Sequence, residues 1–224
     1  EDVKAGRVIS FKNPEEELRY LGIESFRKAV AISIEEHVGF VLISGDLFNT
    51  SLPQIDLIKE TAAILKRLKD RNIAVYIIPG SHDYSPSGKT MLDVLEKAGL
   101  VHNVMKFKDN RLIFTEDKTG VKITGLYGRR SGLDRLDYAS LVKDHLEQEK
   151  GFKIFMFHTT LEEFKPKGLK SLDSESYTSM PKGFQYYAGG HVHYVFDVYK
   201  DEFGLIVYPG PTFPNNFKEL EELK

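Results

Sequence analysis

Two short apolar runs, "GFVLIS" and "IAVYII", each sit between amphipathic helical segments, and this alternation most limits what the chain can become. The helix before the first run opens at "NPEEE". Asn13 is placed as its N-cap, Pro14 as its first residue, and Glu15 to Glu17 in the first turn, where the helix dipole favours anions. Ile23, Phe26, Val30 and Ile34 then recur at helical spacing. Phe40 to Ser44 reads as a buried strand closed by Gly45, "LPQIDLIKETAAILKRLKDRN" as a second helix, and "IAVYIIPG" as a second buried strand. "GKTMLDVLEKAGL" follows as a third helix stopped by Gly99. Helices alternating with apolar strands demand a mostly parallel sheet covered by helices.

Beyond Val101 the pattern turns strand-rich. Strands are expected over 111–115, 121–126, 153–157, 186–188, 195–199 and 205–208, with one helix near 134–149. The fold class predicted is α/β, a two-sheet β-sandwich flanked by helices, in one domain over 1–224. No strand or cap is read at the opening "EDVKAG".

Composition narrows the chemistry. The chain of 224 residues has no cysteine, so thiolate metal sites are excluded and a metal would be held by His, Asp, Glu or Asn. A net charge of -2 supplies no global positive field, so a nucleic acid would need a local basic surface. No apolar run approaches the roughly 18 residues of a membrane span. No signal-peptide pattern is seen, and the expected compartment is the cytoplasm.

Four stretches place ligand-type residues directly after apolar runs: "SGDLF" with Asp46, "PGSHD" with His82 and Asp83, "FHTT" with His158, and "GGHVH" with His191 and His193. In sheets of this class, loops at the carboxyl ends of the strands converge on one edge. Alternate residues of an extended segment share a face roughly 6.5 to 7 Å apart, so His191 and His193 could serve two ions about 3.5 to 4 Å apart, with a carboxylate such as Asp46 bridging them. Singly, each feature is more often a turn or a hydrogen-bonded polar residue; their ordered recurrence changes the reading.

Together the blocks Gly45-Asp46, Gly80-Ser81-His82-Asp83, His158 and Gly190-His191-Val192-His193 resemble the calcineurin-like metallophosphoesterase superfamily. Within it, "SGDLFNTSLP", "IPGSHDYSPSGKTMLDVLEKAGL" and "YPGPTFPNNF" look most like the SbcD-type nucleases of DNA double-strand-break repair. The resemblance implies that Asp46 bridges two divalent ions, Mn2+ by donor type, with His158 and His191 on one and His193 on the other. Ser81 stands where the family has a metal-binding Asn, which implies a weaker second site. His82 would face the phosphate and Asp83 would orient it. The reaction implied is DNA phosphodiester hydrolysis, with an SMC-like SbcC-type ATPase as partner, a homodimer through the N-terminal helices, and no sequence readout.

Arg129, Arg130, Lys165, Lys167 and Lys170 are candidate phosphate contacts, and Tyr84 a candidate stacking residue. The family's D-x-H block is not found before the first helix, and the expectation is that the first strand and the capping and partner-binding regions lie outside this chain. A small-molecule phosphodiesterase or phosphatase of the same superfamily, or a catalytically weak scaffold subunit, remain the alternatives.

Overall fold

The computed structural model describes residues 2–4, 7–9, 14–83, 85, 90–128, 134–165 and 173–213. In chain order the elements are β1 (Asp2–Lys4), β2 (Arg7–Ile9), α1 (Pro14–Glu35), β3 (Phe40–Ile43), α2 (Ile55–Lys69), β4 (Ala74–Ile77), α3 (Met91–Lys97) and β5 (His102–Asn103). There follow β6 (Phe107–Lys108), β7 (Arg111–Leu112), β8 (Thr115–Glu116), β9 (Lys122–Leu126), α4 (Asp134–Ser140), α5 (Asp144–Gln148), β10 (Lys153–His158), β11 (Tyr186–Gly190), β12 (Val195–Lys200) and β13 (Gly204–Pro209).

Two sheets form the centre. Strands β3, β4 and β5 make a three-stranded parallel sheet, and a six-stranded sheet runs β12-β13-β11-β10-β9-β8. In the latter, β9, β10, β11 and β13 are parallel, with antiparallel strands at both edges.

Period-two alternation explains the layering. On β4, Val75 and Ile77 face a cluster with Val30 of α1, Ile64 and Leu65 of α2, and Leu92 of α3. The intervening Tyr76, with Ile78 just past the strand end, joins Ile123, Ile154 and Met156 of the six-stranded sheet in a layer between the sheets. On β10, Ile154 and Met156 face inward, while Phe155 and Phe157 enter an outer cluster with Tyr138, Leu146, Tyr187 and Tyr208. Both faces of β10 are covered, as its unbroken apolar run demands.

The α/β two-sheet sandwich flanked by helices is therefore what the chain adopts, with four differences of detail. The strand expected over 111–115 is broken into β7 and β8, which pair with β6 and β9 respectively. The opening residues, for which no strand was expected, pair as the β1–β2 hairpin outside both large sheets. The expected helix over 134–149 is split into α4 and α5, so that Tyr138 and Leu146 both bury in the outer cluster. The third helix is shorter than its pattern: the Asp93 carboxylate accepts the Thr90 N–H at its start, and Gly99 ends it at a φ of 66°. The N-cap assigned to Asn13 lies outside the described residues. No helix among the described residues is long and apolar enough to cross a membrane.

One polar bond also ties the sheets. Tyr76 Oη of β4 donates to Asp117 Oδ2, just past β8, at 2.7 Å, while Thr119 donates its amide and hydroxyl to Oδ1. Burial pushes the Asp117 carboxyl up, but the Thr119 and Tyr76 hydrogen bonds outweigh it and hold the group below the usual carboxylate range. Its contribution is thus present above the unfolded carboxyl value of about 3.9 and lost as pH falls through the lower folded value. Asp117→Ala should cost about 1–3 kcal/mol in urea unfolding at neutral pH. The gap from wild type should narrow in acid; a gap of constant size would contradict this role.

Candidate metal centre

The carboxyl ends of β3, β4, β10 and β11 open on one rim, and each carries a residue of the expected set. Asp46 follows β3 in the left-handed region, at a φ of 53°. Its Oδ1 accepts the His82 N–H at 2.8 Å, which joins the loop after β3 to the loop after β4. Its Oδ2 lies 3.2 Å from His158 Nε2.

His158, the last residue of β10, is 2% exposed. Its Nδ1 lies 2.6 Å from the Ser44 carbonyl oxygen, which can only accept, so the proton sits on Nδ1 and Nε2 is the basic nitrogen. The register His158↔Gly190 puts His191 one residue beyond β11, also in the left-handed region at a φ of 81°. The two imidazoles meet edge to face with centroids 5.2 Å apart. Donor atoms of Asp46, His158 and His191 all lie within 4.8 Å of one another.

Such closeness needs a glycine. A methyl group on Gly190 would sit 1.9 Å from the Ser44 oxygen and 2.8 Å from His158 Nδ1. Nothing larger than hydrogen fits between the sheets there. The Ser44 hydroxyl adds a second tie, donating to the Ala188 carbonyl of β11 at 3.0 Å.

The residues fit a divalent cation. His158 Nε2 is buried and makes no aligned hydrogen bond despite the nearby carboxylate, while its other nitrogen is anchored on a backbone carbonyl. Protein imidazoles that bind metals are held in this way. Burial pushes the Asp46 carboxyl up, but the His158 ring beside it, with the His82 amide, holds it below the usual range, as an anion. Burial pulls His158 down, and the Asp46 contact, aided by Ser44, carries it above the usual imidazole value.

The remaining residues fall into place around this cluster or apart from it. His82 is exposed on the rim, its Nδ1 3.1 Å from the Asn49 carbonyl oxygen. Asp83 does not orient it. Asp83 is 1% exposed and accepts the backbone N–H groups of Gly80 at 3.1 Å, Leu47 at 3.3 Å and Phe48 at 3.2 Å, so its carboxylate laces the two metal-side loops together. Burial, with the Asp46 charge, pushes the Asp83 carboxyl up against those three amides. The His82 ring meets the Asn49 carbonyl instead.

Ser81 is buried in the turn before His82, and His193 is exposed, outside the cluster of three. Lys165 is ion-paired with Glu162 at 2.7 Å. Tyr84, Arg129, Arg130, Lys167 and Lys170 lie outside the described residues. Ser44, Asn49 and Gly190 were missed as positioning groups in the sequence. Two of them act through backbone carbonyls, which no side-chain pattern announces; only the glycine of "GGH" left a mark.

A calcineurin-like phosphoesterase family model matches residues 19–195, a span that contains Asp46, His82, His158, His191 and His193. The chain belongs to this family. Family membership supports phosphoester hydrolysis with divalent metal ions as the chemistry of this site.

Among similar proteins, the DNA double-strand break repair protein Mre11 of Saccharolobus solfataricus is 31% identical over 88% of this phosphoesterase and 49% of its own length. Mre11 of Methanococcus maripaludis is 27% identical, over 90% of this chain and 53% of its own. The uncharacterized metallophosphoesterase YhaO of Bacillus subtilis is 28% identical, over 87% and 46%. The chain thus spans about half the length of the curated relatives it matches. A solved structure, TT1561 of Thermus thermophilus, has the same fold, with a TM-score of 0.55, 18% identity, and coverage of 87% of this chain and 86% of that one.

Two outcomes follow from the geometry. Manganese should raise the thermal unfolding midpoint of the wild-type phosphoesterase, by the equivalent of about 2.7 kcal/mol at a hundredfold excess over Kd. His158→Ala should remove that shift; a shift kept in full would place the ion elsewhere. Gly190→Ala, by forcing β11 from Ser44, should destabilise the metal-free protein by about 1–3 kcal/mol in urea, and unchanged stability would contradict the close approach.

Proposed function

We propose that this phosphoesterase is the nuclease part of a DNA double-strand-break repair enzyme, hydrolysing phosphodiester bonds in the DNA backbone. The observation that carries this reading is His82 standing at the rim, its amide bound to Asp46 of the ligand cluster. Similarity over about nine-tenths of the chain to proteins named Mre11 supports DNA as substrate, as do the segments "SGDLFNTSLP" and "GSHDYSPSGKT".

Asp46, His158 and His191 would hold one divalent ion, and Asp46 with His193 and Ser81 a second; manganese suits these oxygen and nitrogen donors. When bound, such ions polarise the phosphoryl oxygens and lower the pKa of an attacking water.

The chain's own residues do the rest. The Asn49 carbonyl keeps the His82 proton on Nδ1, so in the imidazolium it is the Nε2 proton that is handed to the leaving oxygen. Asp83 fixes the turn that carries His82 by tying Gly80 to Leu47 and Phe48. The Asp46 carboxylate, ionised at neutral pH, holds the His82 amide and faces His158 at once. Nothing in this machinery requires the identity of a base, which suits an enzyme positioned by the phosphate backbone. Assembly as a homodimer with an SMC-like ATPase, in the cytoplasm, belongs to the same proposal.

His82→Ala should lower manganese-dependent DNA degradation by about 10²–10⁴-fold, with metal content unchanged. Hydrolysis of a chromogenic phosphodiester without cleavage of single- or double-stranded DNA would overturn the nuclease reading in favour of a small-molecule phosphodiesterase. A protein that takes up no transition metal would favour a scaffold subunit.

A further inference from the structure

Beside the metal centre lies a cavity of about 510 Å³, within the roughly 300–1,000 Å³ typical of small-molecule sites. Its walls include Pro79, Asn103, Met105, Phe107, Tyr127 and Asp93. Two of these adjoin the centre by a single peptide step. Pro79 precedes Gly80, whose amide is bound to Asp83 at 3.1 Å, and Tyr127 precedes Gly128, where a methyl group would sit 2.4 Å from His158 Cδ2. The Gly128 N–H also donates to the Pro79 carbonyl at 3.3 Å, so the two loops are joined beside the centre.

The lining has the chemistry of a base rather than of a phosphate. Phe107, on the β6–β7 hairpin, leaves 51% of its surface uncovered although it lines a concave wall. Hairpin register pairs it with Leu112, which is fully buried in the outer cluster, so the two share the face turned towards the protein. Asn103 uses its side-chain oxygen to accept the Met105 N–H at 3.0 Å, which leaves its NH2 to donate. Asp93 Oδ2 takes the Thr90 amide, and Oδ1 is left to accept. An aromatic platform with one amide donor and one carboxylate acceptor matches the stacking face and the edge of a nucleobase. The carboxylates of Asp93 and Asp137 in the same wall oppose a phosphate there.

We propose that this cavity takes an unpaired nucleobase of the strand whose phosphate lies at the metal centre, with Phe107 as its stacking platform. The substrate is then a frayed or single-stranded end rather than a fully paired duplex. This rests on the nuclease reading above, and it adds the base next to the scissile phosphate as a binding determinant.

The test reads binding without turnover. A short single-stranded oligonucleotide carrying 2-aminopurine is titrated with the full chain in the absence of added metal, and its fluorescence quenching is followed. Phe107→Ala should weaken binding about tenfold, within what base–aromatic stacking supplies, and Phe107→Tyr should restore it. Phe152→Ala, which removes a phenylalanine of similar exposure outside the cavity, should bind as wild type. An oligonucleotide of abasic residues, added as a competitor of the 2-aminopurine strand, should bind wild type and Phe107→Ala alike. Equal binding of the base-bearing strand by wild type and Phe107→Ala overturns the proposal, as does an abasic strand that senses the substitution. If base-dependent quenching is seen but no DNA is cut, the nuclease reading fails and the cavity stands; if DNA is cut while Phe107→Ala binds normally, the cavity fails and the nuclease reading stands.

Discussion

The site depends on one contact between the two sheets. The carbonyl of Ser44, just past the end of β3, accepts the Nδ1 proton of His158, while Gly190 of β11 packs against the same oxygen. A carbonyl that receives a buried imidazole fixes the tautomer and the plane of the ring, and so the direction of the other nitrogen. The interlayer packing of Tyr76, Ile78, Ile123, Ile154 and Met156 holds the sheets close enough for this bond to form. Core and chemistry are coupled through a few ångströms of backbone.

Backbone strain is also found at the same place. Asp46 and His191 both occupy the left-handed region, where a non-glycine residue costs of order 1–3 kcal/mol. Burial, with the charge of Asp46 nearby, pushes the Asp83 carboxyl up. Three amide hydrogen bonds to Asp83 and one to Asp46 offset these costs and keep the loops in register. A rim strained in this way, with a carboxylate facing a buried imidazole nitrogen that makes no aligned hydrogen bond, is shaped for a cation.

Much of this was legible in the residues because strands buried on both faces leave an unmistakable apolar run. "KIFMFH" ends on His158 for the same reason that β10 is fully covered: once the sheet edge is reached, a polar side chain is tolerated. The spacing of "GD", "HD" and "GGH" after such runs located the rim. The orientation of the groups on it was not legible. Asp83 follows His82 directly, and adjacency invites the idea that one carboxylate steers the other's ring. The turn instead directs Asp83 inward to three amides and leaves His82 to a carbonyl 33 residues away. Long-range backbone partners of this kind have no signature in side-chain identity. The split of the helix over 134–149 was hidden similarly, because the demand that buries Tyr138 and Leu146 together is tertiary.

The ligand cluster and His82 stand along one rim, at or beyond the ends of parallel strands of the two sheets. The most direct test of the metal assignment is anomalous X-ray diffraction from crystals of the protein soaked in manganese. An anomalous peak is expected within coordination distance of Asp46, His158 Nε2 and His191. Ordered density for those three side chains with no peak between them would contradict it.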